Sequence, residues 1–208
     1  MRQLTELAGQ LLLPPRYNIP PSTQVAAIRH RADGGNEWVM LRWGLIPSWA
    51  KDKKFSYHTF NAMAETVAQK PAYRSAFRRQ RCIVPANGFY EWRTENGKQQ
   101  PFYIHAPHDD EPLLLAGLWE HWEHEGEAIE SCSVITTNAN EAMRALHDRM
   151  PALLEPADVE PWLDPRNQDP VQLQLLLRPS AQPLALTRVS PRMNSPKFDD
   201  PACIESVA

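Results

Sequence analysis

Twenty prolines are scattered through these 208 residues, and they constrain the fold more than any other feature. Proline lacks a backbone N–H and its ring clashes with the preceding helical turn, so a chain interrupted this often is a poor source of the long helices that alternate with strands in a doubly wound fold. Short strand-like segments remain. Val25 to His30 and Glu37 to Trp43 flank the turn Asp33-Gly34-Gly35-Asn36, and Cys82 to Ala86 and Gly88 to Arg93 follow as buried segments. Asn96-Gly97 marks a tight turn into Phe102-Tyr103-Ile104. Leu113 to Trp119, Ser131 to Thr136 and Leu184 to Val189 complete the strand signals. Helical signals are brief, at Glu65 to Gln69, Ala72 to Arg79, Ala139 to Leu146 and Asp158 to Leu163. The pattern predicts an α+β fold, a mixed and mainly antiparallel sheet or open barrel with flanking helices.

The length suits one domain over residues 1–208, and no apolar run approaches the length that crosses a bilayer. Leu11 to Leu13 is too short for a signal-peptide core and no cleavage site follows it, so the expected compartment is the cytoplasm. Cys82, Cys132 and Cys203 are odd in number and lack metal-type spacing, which predicts free thiols rather than disulfides.

Charge is segregated along the chain. From Arg42 to Arg81, nine basic residues against two acidic ones give +7, whereas from Gln99 to Met143 nine acidic residues face no Lys or Arg. Trp43, Trp49, Phe55, Tyr57, Phe60, Tyr73 and Phe77 are interleaved with the basic block. Aromatic residues among cations suit a single-stranded nucleic acid, whose bases stack while its phosphates are neutralised. A solvated helix face over an ordinary aromatic core gives the same pattern.

Three polar residues stand in apolar or aromatic surroundings. Glu91 lies in Gly88-Phe89-Tyr90-Glu91-Trp92, where desolvation raises a carboxyl's proton affinity and equips it for general acid–base work. A strand carboxylate paired with an arginine is the alternative. His147 precedes Asp148-Arg149-Met150-Pro151, and the proline favours extended backbone that projects the imidazole into a cleft; a capping or solvent-exposed histidine fits equally. Asn61 precedes Ala62 to Ala68 and suits a helix N-cap as well as a site. The spaced pairs His105/His108 and His121/His124 lack a convincing shared ligand set, so no metal is expected. A thiol hydrolase built on Cys82 and His147 is the third reading, weakened by the apolar strand around the thiol.

Together these islands resemble the SOS-response-associated peptidase (SRAP) family, which processes abasic sites in single-stranded DNA. The matching stretches are Pro15-Arg16-Tyr17-Asn18-Ile19, Arg42 to Ala50, Asn61-Ala62 with Ala64-Glu65-Thr66, Arg81 to Ala86 running into Gly88 to Trp92, Ala116 to Glu120, and His147 to Pro151. The resemblance implies that a processed N-terminal cysteine condenses with the sugar aldehyde and closes a thiazolidine ring. Asn61 would orient the N-terminal residue and sugar, Glu91 would transfer protons, and His147 would assist at the opened sugar. Trp43, Trp49 and Trp92 would stack on or wedge between bases, and Arg42 and Arg149 would hold DNA phosphates. No cofactor is implied. The expected partner is single-stranded DNA containing abasic sites, bound by a monomer in the cytoplasm and associated with the nucleoid.

Two departures qualify the match. The family begins Met-Cys-Gly-Arg where this chain begins Met1-Arg2-Gln3, which implies that about a dozen native residues precede it. The family also commonly carries arginine two residues after the asparagine, where this chain has Met63. A diverged module that binds single-stranded DNA without a covalent bond therefore stands as the alternative.

Overall fold

The opening hairpin forms as the turn chemistry predicts. Gln24–His30 (β1) pairs antiparallel with Asn36–Trp43 (β2), and Gly34 and Gly35 take φ of 101° and 77°, backbone open to glycine at little cost. The structure, a computed structural model, describes residues 14–107 and 112–207. The readings that involve Met1 to Leu13, His108 and Asp109 to Glu111 lie outside the described residues.

β1 passes from β2 to Arg81–Ala86 (β4), which pairs with Leu113–His124 (β7), which in turn pairs with Glu127–Asn138 (β8). Parallel bonding of Arg42 and Trp43 with Ser131 and Cys132 then joins β2 to β8, closing these five strands into a barrel. β4 is apolar on both faces because both are covered. Ile83 faces a core with Ile28, Leu118, Ile135, Phe77 and Trp162, whereas Cys82 and Val84 face one with Leu41, Leu115, Cys132 and Ile104. A second sheet holds Gly88–Glu95 (β5), Lys98–His105 (β6) and Ala185–Arg188 (β10). Asn96 and Gly97, at φ of 50° and 73°, make the predicted β5–β6 turn.

Two three-residue strands carry no periodicity that the sequence could reveal. Asn61–Met63 (β3) runs parallel to Val134–Thr136, and Arg149–Pro151 (β9) runs antiparallel to Thr136–Asn138. Both flank the C-terminal end of β8, which therefore touches four other strands.

The helices are shorter than expected. Glu65 to Gln69 forms successive turns, with Thr66 N–H bonded to Met63 O and Lys70 N–H to Thr66 O, and Pro71 stops them from lengthening. Only Arg74–Arg79 (α1) becomes α-helix in that region. Ala139 to Leu146 reduces to a 3₁₀ turn at Met143–Ala145, where Asn140 Oδ1 accepts from Met143 N–H at 3.1 Å and competes with an α ladder. Val159–Leu163 (α2) matches its signal, and Pro170–Leu175 (α3) is additional.

Arg81, counted in the basic block, is buried. Its guanidinium donates to the carbonyls of Phe77, Arg78, Trp162, Asp164 and Asn167, tying α1 and α2 to β4, and burial lowers its pKa to about 10. It presents no charge to a polyanion.

Candidate active site

β5 brings Glu91 to its place, opposite Phe102 of β6 and between Tyr90 and Trp92. Burial raises the carboxyl pKa, and the nearby His147 imidazole opposes part of that rise. The two side chains reach a common open cavity of about 570 Å³, lined by Glu91, Trp92, Gln99, His147 and Asn194. Residues far apart in sequence thus meet, one from the second sheet and one from the turn that enters β9.

His147 is oriented by that turn. The Arg149 amide donates to Nδ1 at 2.9 Å, so the neutral imidazole carries its proton on Nε2. Asp148 Oδ1 lies 3.2 Å from the same Nδ1 and becomes an ion-pair partner when the ring is protonated. Arg149 itself is engaged. Its guanidinium donates to both Glu65 oxygens at 2.9 and 3.0 Å, to Asn138 Oδ1 at 3.1 Å and to Thr136 O at 2.7 Å. A phosphate would meet it as part of this network.

Asn61 does not line the cavity. It opens β3 rather than capping a helix, its side chain is exposed, and its carbonyl accepts from the Tyr73 hydroxyl at 3.1 Å. β8 nevertheless links it to the histidine side, because β3 and β9 border the same strand and the Glu65–Arg149 pair spans them.

The aromatic residues differ in freedom. Trp43 is partly buried, donates Nε1 to Phe60 O at 2.8 Å and meets Phe60 edge-on, which fixes the segment leading to Asn61. Arg42 donates to Ser22 O at 3.0 Å. Trp49 is 57% exposed, on a loop suspended from the barrel. Ile46 N–H bonds Ser131 Oγ at 2.8 Å, Trp122 Nε1 bonds Ala50 O at 2.7 Å, and the buried Glu120 carboxyl accepts from Ser48. Gly44 starts that loop at φ 130°, where a Cβ would lie 2.7 Å from Ser56 O.

Cys82 is fully buried, and desolvation pushes its thiol well above the ordinary value; burial takes Cys132 to about 12. Cys82 does not line the cavity that holds His147, which removes the thiol-hydrolase reading's geometry. Among the described residues, no group of three or more His, Cys, Asp or Glu side chains is arranged to hold a metal ion. Sequence reasoning missed Gln99 and Asn194, which become part of the site only through folding.

The model of the SOS response associated peptidase family matches residues 2–196. Abasic site processing protein YoqW of Bacillus subtilis (strain 168) is 43% identical over 196 residues, covering 92% of this chain and 86% of its own. Abasic site processing protein HMCES of Xenopus tropicalis is 32% identical over 217 residues, covering 93% of this chain and 64% of its own. A crystal structure of a protein from Bacteroides thetaiotaomicron superposes with a TM-score of 0.76 at 30% identity, covering 93% of this chain and 82% of that one. On its sequence and its fold alike, the chain belongs to the SOS response associated peptidase family.

Proposed function

We propose that this protein processes abasic sites in single-stranded DNA and, in a form presenting an N-terminal cysteine, captures them covalently. The convergence of Glu91 and His147 on one open cavity beside Trp92 carries the reading. The cysteine α-amine adds to the sugar aldehyde to give a carbinolamine. Glu91, whose proton affinity is raised by desolvation, protonates the departing hydroxyl; water leaves, the nitrogen returns its proton to the carboxylate, and an imine results. The thiol then adds across the C=N bond, its proton passing to nitrogen, and the thiazolidine closes. Reversal uses the same groups in the opposite direction. His147 donates from Nε2 to the oxygen of the opened sugar during β-elimination or release, and Asn61 orients the N-terminal residue.

The segment at Pro15 to Asn18 supports this assignment. The Tyr90 hydroxyl, one residue before Glu91, donates to Tyr17 O at 2.5 Å, anchoring this early segment against β5. Trp49 and Trp92 provide stacking surfaces, Trp43 supports the aromatic loop, and Arg42 and Arg149 contribute to phosphate binding. The protein acts as a monomer in the cytoplasm and joins the nucleoid on binding DNA. Autocatalytic removal of the initiator methionine and lyase activity accompany the capture.

The buried state of Cys82, Cys132 and Cys203 favours a second reading for the 208-residue sequence as it stands, which is non-covalent DNA binding. One comparison tests both. The chain with Arg2 should bind an abasic single strand without a heat-stable adduct, and a form processed to an N-terminal cysteine should yield the adduct. A heat-stable adduct with the Arg2 chain, or none with the cysteine form, would overturn the assignment.

A further inference from the structure

Trp92 has a specific restraint. Its indole is 37% exposed at the cavity edge, yet Nε1 donates to Asn194 Oδ1 at 2.7 Å. The Asn194 amide nitrogen reaches Gln99 O on β6 at 3.4 Å, so one side chain connects the indole to the backbone of the neighbouring strand. Asn194 and Gln99 also line the adjoining cavity of about 650 Å³, where Lys98 and Arg188 stand with Glu95. Asn194 and Gln99 therefore line both hollows.

The placement of Asn194 is itself determined. It ends the 3₁₀ helix Pro191–Asn194, whose Met193 side chain is buried with Tyr103, Val189 and Cys203. On either side of it, the carbonyls of Met193 and Ser195 accept from Asn18 Nδ2 at 2.8 and 3.2 Å, and Phe198 O accepts from the same nitrogen at 3.0 Å. Asn18 is only 8% exposed, and its own N–H donates to Asp199 Oδ1 at 3.0 Å. A buried amide thus sets the backbone from which an exposed amide holds the indole.

We infer that Asn194 is a positioning residue that locks the Trp92 indole at the edge of the cavity lined by Glu91 and His147, so that a nucleobase flanking the abasic sugar meets a fixed ring. The inference rests on the proposed DNA reading. A free indole would lose rotamer freedom when a base stacks on it; the hydrogen bond removes that loss before DNA arrives.

The experiment is a double-mutant cycle with single-stranded DNA carrying a tetrahydrofuran abasic analogue, which binds without reacting. Asn194→Ala should weaken affinity about 3- to 10-fold in the parent protein and less than about 2-fold in Trp92→Phe, which has no Nε1. A role confined to folding would give equal losses in both backgrounds and overturn the inference. A second readout needs no DNA. The Trp92 contribution to fluorescence, taken as the difference between each protein and its Trp92→Phe counterpart, should become more accessible to acrylamide in Asn194→Ala. Unchanged quenching overturns the lock. If the parent protein fails to bind the analogue, the DNA reading falls on that result alone, and the quenching arm still decides whether Asn194 holds the ring. Thermal melting confirms that the compared variants are folded.

Discussion

Arg149 holds both carboxylate oxygens of Glu65, joining the segment after β3 to β9 across the end of β8. The guanidinium keeps the Glu65 carboxyl below the ordinary value of 4.5. A depressed carboxylate stabilises the fold above its unfolded pKa, and that contribution disappears as pH falls through the folded value. Glu65→Gln should therefore cost about 0.5–1 kcal/mol at pH 7 for this partly exposed pair. Denaturant curves of the two proteins should converge on acidification below 4.5.

Glu91 has the opposite sign. Burial raises its folded pKa, so the folded protein binds this proton more tightly than the unfolded chain and loses stability as pH rises past 4.5. Glu91→Gln should match or exceed the parent protein in melting temperature at pH 7. In the cysteine form, the same substitution should slow crosslinking by about 10²–10⁴-fold. A destabilised Gln variant would reassign Glu91 to a structural ion pair.

Arg81 tests the barrel rather than the chemistry. Arg81→Ala would leave several buried carbonyls without a donor and should cost more than about 3 kcal/mol in denaturant unfolding. Arg81→Lys should recover only part of the loss, because one ammonium cannot follow the planar fork that reaches both α1 and α2.

Phosphate binding can be separated from base stacking by salt. Arg149→Ala should weaken binding similarly across DNA sequences and reduce the slope of log K against log salt by about 1. Trp49→Ala should weaken binding with that slope retained, with a loss of about 1–3 kcal/mol if one base stacks there. An unchanged salt slope for Arg149→Ala would confine that residue to its internal pair with Glu65.

Legibility followed the range of the interactions. Strands β1, β2, β4 and β5 were visible because apolar composition and turn chemistry are local, and Asn96-Gly97 fixed its hairpin within two residues. Glu125-Gly126 makes an equivalent turn at φ of 51° and 83°, but glutamate is a weak turn signal and the full length of β7 was missed. β3 and β9 arise only when β8 supplies partners. Glu91 and His147 stood out as polar residues in apolar settings, whereas Asn194 acquires its setting from Asn18, whose amide reaches the adjacent carbonyl across 175 positions.

The dependence of β3 on β8 also orders events during synthesis. Asn61 leaves the ribosome well before Val134, its pairing partner, and Asn194 emerges later still. Local hairpins can form early, but the strand bearing Asn61 has no ladder until β8 is available, and the Trp92 contact waits for the last part of the chain. A nascent protein therefore completes its barrel before it completes the cavity that Glu91 and His147 line, so the candidate site is assembled after the scaffold that restrains it.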